Sequence, residues 1–69
     1  MGQIEQYAEI GSHCHISTGS IINGGAKIGS NTFIGSGSII KQGTKVGNDC
    51  LISAGLFIED DVPDGKIIR

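Results

Sequence analysis

Every sixth residue of this chain is a β-branched aliphatic. From Ile4 the steps land on Ile10, Ile16, Ile22, Ile28, Ile34, Ile40, Val46, Ile52 and Ile58. A helix returns to one face after about 3.6 residues and a lone strand after two, so neither period explains six. An internal repeat does. Four residues after each aliphatic stands a small or modest side chain: Ala8, Cys14, Ser20, Ala26, Thr32, Ser38, Thr44, Cys50, Leu56 and Val62. Three residues after it stands a residue suited to positive φ: Gly19, Gly25, Asn31, Gly37, Gly43, Asp49, Gly55 and Asp61. Tyr7 and His13 depart from that rule.

The pattern predicts a short strand and a tight turn in every unit, with the aliphatic and the small residue pointing inward. Three units close a triangular coil, so positions eighteen apart stack. The inward columns are then Ile4, Ile22, Ile40, Ile58; Ile10, Ile28, Val46; and Ile16, Ile34, Ile52. The expectation is an all-β parallel helix of about three triangular coils, with levels about 4.8 Å apart. It forms a single domain over 1–69, with the repeat at about 4–62 and a short tail, 63–69, that leaves it.

A chain of 69 residues has a small core and usually needs a partner, a metal or disulfides. The net charge is -2 with no basic cluster, which argues against nucleic acid. No apolar run approaches the roughly 20 residues of a membrane span. The start of the chain has no basic-then-apolar pattern of a secretory signal. Met-Gly begins a myristoylation signal, but Gln6 stands where Ser or Thr is needed. These features describe a soluble, cytoplasmic protein without a membrane partner.

The outward residues before each aliphatic sort into three faces. Glu9, Lys27 and Lys45 make a charged one. Gln3, Ile21, Ile39 and Phe57 make the second, and His15, Phe33 and Leu51 the third. Two apolar faces on a thin prism call for burial against copies of the chain. Two different surfaces per subunit suit a closed three-fold ring, so a homotrimer is expected.

Both histidines and one cysteine fall in His13-Cys14-His15-Ile16-Ser17, a cluster that could suggest a metal or a catalytic pair. The columns divide it. Cys14 is inward and stacks with Thr32 and Cys50, His13 is at a turn, and His15 points outward from a strand. The histidines leave the coil in different directions, so no metal site is expected. Cys14 and Cys50 lie two levels apart, about 9 to 10 Å, beyond the roughly 7 Å reach of a disulfide. They are expected to be reduced and slow to react.

The stretches "IGSNTF", "IGSGSI" and "VGNDCL" resemble the hexapeptide repeat of left-handed β-helix acyltransferases. The left-handed sense is what that resemblance implies; the general rule for parallel crossovers gives the opposite hand. "IEQYAEIGSHCHISTGSIINGG" and "DDVPDGKII" are similar to sialic acid O-acetyltransferases and to nucleotide-amino-sugar N-acetyltransferases. In those enzymes a first histidine, followed by an acidic residue, is the general base that deprotonates the acceptor amine or hydroxyl. A second histidine meets acetyl-CoA at the subunit seam. The resemblance puts His15 at the second histidine, and Ser36 and Ala54, stacked with Thr18, where the backbone meets CoA. The base position is Gln6 and its acidic partner is Tyr7. An amide is no base near neutral pH. Two functions follow as expectations. One is a minimal acetyl-CoA-dependent acyltransferase that uses His15 or His13. The other is a non-catalytic trimeric structural or CoA-binding module.

Overall fold

The computed structural model describes residues 2–69, so Met1, where the expected single domain begins, lies outside the described residues. Eleven two-residue strands follow one another: β1 Gln3–Ile4, β2 Glu9–Ile10, β3 His15–Ile16, β4 Ile21–Ile22, β5 Lys27–Ile28, β6 Phe33–Ile34, β7 Ile39–Ile40, β8 Lys45–Val46, β9 Leu51–Ile52, β10 Phe57–Ile58 and β11 Ile67–Ile68. No helix occurs among the described residues. The strands form three parallel sheets, β1-β4-β7-β10, β2-β5-β8 and β3-β6-β9-β11. Each strand pairs with one from the next coil, so Ile4 sits beside Ile22, Ile10 beside Ile28 and Ile16 beside Ile34.

The core is the predicted set of ladders. Ile22, Ile34, Ile40 and Ile52 are fully buried, and Ile28, Val46 and Ile58 nearly so. Stacking β-branched side chains in register fills the space between levels, and each burial contributes about 1.5–3 kcal/mol. The corners carry a second, polar ladder that the repeat does not reveal. Cys14, Thr32 and Cys50 donate to the carbonyls of Gly29, Gly47 and Pro63 in the next coil, at 2.9, 2.8 and 3.1 Å. Ser38 does the same to Ser53, at 2.6 Å. On the outside, the side chains of Ser30, Asn48 and Asp64 accept the N–H groups of Ser12, Ser30 and Asn48 below them. Among the described residues no buried side-chain nitrogen or oxygen lacks a partner.

The tail corrects the sequence expectation. Residues 63–69 leave the six-residue register but stay on the stack. Ile67 pairs with Leu51, sixteen residues back, where the coils below pair at eighteen. The two missing residues come out of the turn after Ile58. Val62 therefore bridges Val46 in the aliphatic column and is not a corner residue. Asp61 lies outside the positive-φ set, and Gly65 takes the next such corner, at 74°. The faces of β2-β5-β8 and β3-β6-β9 thereby gain a fourth level, matching the four that the repeat itself supplies in β1-β4-β7-β10.

Tyr7 and His13, the two residues that break the turn rule, adopt positive φ all the same, at 67° and 59°. The closure of the coil overrides their own preference, which disfavours this region by about 1–2 kcal/mol. The opposite constraint acts at Gly35. It is buried, and a Cβ there would overlap the backbone of Ser53 and Ala54.

Two exchanges therefore have opposite expected signs in chemical denaturation. Tyr7→Gly relieves the strained corner and raises stability by about 1 kcal/mol. Gly35→Ala forces the next coil away and lowers stability by about 1–3 kcal/mol.

Candidate functional site

The His13–Ser17 cluster is divided as its columns require. The Cys14 thiol donates to Gly29 inside the prism, whereas His15 is exposed on the outer surface. The His15 ring lies flat on Phe33, with centroids 5.0 Å apart and planes 5° from parallel. Strand pairing dictates this contact: His15 is the direct neighbour of Phe33, and Phe33 of Leu51. An offset aromatic stack of this kind contributes about 0.5–1.5 kcal/mol beyond its area. It also fixes the plane in which the two ring nitrogens present themselves. His13 sits at a corner, exposed, and its backbone carries the strain noted above.

The face that holds His15 is longer than the sequence suggested, because β11 adds Ile67 beyond Leu51. Phe33, Leu51 and Ile67 are 41%, 38% and 52% exposed. The second apolar face is also in register, from Gln3 through Ile21 and Ile39 to Phe57, which is 58% exposed. The third column is charged throughout: Lys27 lies 4.0 Å from Glu9, and Asp61 accepts the N–H of Lys45. Exposed pairs of this kind add little stability and mark the face as wet.

Between the two apolar faces runs a corner of small, exposed side chains, Thr18, Ser36 and Ala54. Backbone bonds link its levels: Gly37 donates to Thr18 and Gly55 to Ser36, at 3.1 and 2.9 Å. The bare backbone at Gly35 lets the Ala54 level close down on Ser36. His15, Ser17 and Thr18 share a cavity of about 470 Å³ with Ile4, Ile10, Cys14 and Ile16. The structure thus brings His15 and the Thr18 corner together. Gln6 and His13 do not line that cavity. Among the described residues no three His, Cys, Asp or Glu side chains come together to hold a metal. No helix there is long and apolar enough to cross a membrane. Both cysteines are free, Cys50 buried and Cys14 half-buried at the edge of the cavity.

The sequence profile of the hexapeptide repeat of succinyl-transferase matches residues 25–60. No curated protein matches the chain significantly. Several solved structures do. A histidine-to-asparagine variant of perosamine N-acetyltransferase from Caulobacter crescentus, in complex with CoA and GDP-perosamine, is 30% identical with a TM-score of 0.85. The match covers 87% of this chain and 29% of that one. The acetyltransferase domain of PglB from Neisseria gonorrhoeae, in complex with acetyl coenzyme A, is 29% identical with a TM-score of 0.71, over 96% and 29%. Serine acetyltransferase isoform 3 from Entamoeba histolytica, in complex with cysteine, shares the fold at 18% identity and a TM-score of 0.67, over 96% and 33%. The chain spans about a third of the length of these proteins, or less.

The His15–Phe33 stack has a direct spectroscopic signature. The Phe33 ring current should shift the His15 ring protons upfield in solution NMR. Phe33→Leu should return them to ordinary positions while the backbone spectrum stays folded.

Proposed function

This chain belongs to the hexapeptide-repeat acyltransferase family, and from that premise we propose that it is an acyl-CoA-binding β-helix with acetyl coenzyme A as the donor. The observation that carries this reading is the close backbone match to an N-acetyltransferase solved with CoA, at 30% identity over 87% of this chain. The residues present suit such a ligand. A pantetheine arm is thin and extended and needs exposed backbone with little side-chain bulk. The Thr18, Ser36 and Ala54 corner offers that beside His15. In this reading His15 meets the donor, held flat by Phe33, and Ser36 and Ala54 flank the arm. Bound acetyl-CoA supplies an activated thioester carbonyl.

Transfer to an amine or hydroxyl also needs a group to take the acceptor's proton. Gln6, exposed at its corner, cannot take it, because an amide is too weak a base to accept a proton near neutral pH. His15 is the side chain left to do so, with His13 behind it on a different corner. We therefore assign slow transfer, or donor binding without transfer, to the chain by itself. Loss of a general base costs typically 10²- to 10⁴-fold.

The donor-binding form in this proposal is a homotrimer. The face bearing His15, Phe33, Leu51 and Ile67 packs on the face of a neighbour bearing Ile21, Ile39 and Phe57. Burying these side chains is what so small a core lacks in isolation.

Acetyl-CoA should raise the unfolding temperature at micromolar concentration, and His15→Ala should weaken that shift. No shift at millimolar acetyl-CoA contradicts donor binding. Gln6→His combined with Tyr7→Asp restores an imidazole with an adjacent carboxylate. It should produce thiol release from acetyl-CoA with an amino-sugar acceptor, about 10²-fold or more above wild type.

Sedimentation should show trimers at micromolar concentration. Phe57→Glu or Phe33→Glu places a charge in the seam and should dissociate or unfold them. A stable wild-type monomer contradicts the assembly.

A further inference from the structure

Three asparagines stand at corners of the stack, and their surroundings differ. Asn48 is held twice: its side-chain oxygen accepts the N–H of Ser30 at 2.7 Å, and the N–H of the next residue, Asp49, donates to Ser30 at 2.9 Å. Asn31 is followed by Thr32, β-branched and only 1% exposed, which crowds the peptide nitrogen between them. Asn23 is followed by Gly24, which brings no side chain. Among the described residues the Gly24 N–H has no hydrogen-bond acceptor. Residues 23–26 form a tight turn, in which Ala26 donates to the Asn23 carbonyl at 3.2 Å and Gly25 takes a φ of 72°.

One contact restrains the Asn23 carboxamide. Its Nδ2 donates to the Ile40 carbonyl at 3.0 Å. That carbonyl already accepts the backbone N–H of Asn23, at 3.1 Å. The side-chain bond is therefore an addition to the ladder and not a rung of it. Glu5 and Lys41, the counterparts of Asn23 in the coils on either side, donate through the backbone alone, to Ile22 and Ile58 at 2.9 and 2.8 Å. The half-buried Asn23 side chain can leave Ile40 while the coils stay paired.

We propose that Asn23 is a site of covalent modification, where the carboxamide is lost by attack of the Gly24 nitrogen and the product loosens the corner. The Gly24 nitrogen forms a bond to Cγ of Asn23 and closes a succinimide ring. The bond from Cγ to Nδ2 breaks, and the departing nitrogen leaves as ammonia with the proton from Gly24. Water then opens the ring at either carbonyl, giving aspartate or isoaspartate. The sum is one water consumed and one ammonia released. Isoaspartate routes the main chain through Cγ and inserts a methylene between residues 23 and 24. Just beyond that point, Gly25 donates to the Gln6 carbonyl at 3.3 Å, and the Gly24 carbonyl accepts the Gly43 N–H at 3.1 Å. These bonds tie three successive coils, and a longer backbone displaces both. Aspartate keeps the backbone length but has no donor for Ile40. The reaction is independent of acyl-CoA.

The test is incubation of the full chain at mildly alkaline pH, with peptide mapping by mass spectrometry at intervals. Amide loss should appear at Asn23, as both aspartate and isoaspartate, while Asn31 and Asn48 stay intact. The aged chain should unfold at a lower temperature than the fresh one. Gly24→Ala should slow the loss about tenfold, equivalent to ~1.4 kcal/mol on the barrier. A Cβ there meets only the Gln6 carbonyl oxygen, at 3.2 Å, and Gly24 is outside the positive-φ set, so the corner accepts it. Asn23→Gln, whose longer side chain disfavours the ring, should keep a constant unfolding temperature through the same incubation. Four results overturn the proposal. They are earlier loss at Asn31 or Asn48, an unchanged rate in Gly24→Ala, an aged chain that carries isoaspartate yet unfolds with the fresh one, and an intact Asn23 in the folded chain over a period in which the urea-unfolded chain converts.

Discussion

Every level of this structure depends on the level beside it. A strand of two residues buries one aliphatic and holds a few backbone bonds, too little to persist as an isolated unit. What gives it a place is the identical strand one coil away, with an isoleucine or valine in register and carbonyls aligned to receive its N–H groups. Stability in such a stack is a sum of nearest-neighbour terms, so the interior levels are secure and the ends are exposed. In one column Ile4, on the first described level, is 39% exposed, whereas Ile22 and Ile40, with a level on either side, are fully buried.

The same stacking explains why reactive residue types need not be reactive. Cys14, Thr32 and Cys50 look unrelated as chemistry, yet all three perform one task, donating from a corner to the carbonyl of the next coil. A hydroxyl and a thiol of similar size are exchangeable there because the position asks for a compact donor. Outside the coil the rule differs. Side chains in an outward column touch their neighbours above and below, which is how His15 acquires an aromatic partner eighteen residues away. The column that stacks an imidazole on a phenyl ring also forms the apolar surface along which the family's chemistry is proposed to occur.

How much of the site was legible differs from residue to residue. The outward placement of His15, its column with Phe33 and Leu51, and the small corner of Thr18, Ser36 and Ala54 follow from counting in sixes and eighteens. The extension of that face by Ile67 does not. It depends on the two residues dropped after Ile58, which return the tail to the stack at a shifted count. A shortened turn has no signature of its own, because the chain that follows looks merely irregular. The positive φ of Tyr7 and His13 was hidden for a related reason. Local preference points elsewhere for both, and only closure of the coil compels it.

The sequence by itself determined the repeat, the inward and outward faces, the parallel register and the separation of the two cysteines. A six-residue period with β-branched residues at one phase turns the same side chain inward in every unit, and burial holds it there at every step. Tertiary structure decided what periodicity cannot carry. It recovered the tail as a further level, brought Val62 into the aliphatic column and laid the His15 ring flat on Phe33. These outcomes are set by contacts between coils. Such contacts depend on where the chain stands in the stack, and position in the stack is not written into any single six-residue unit.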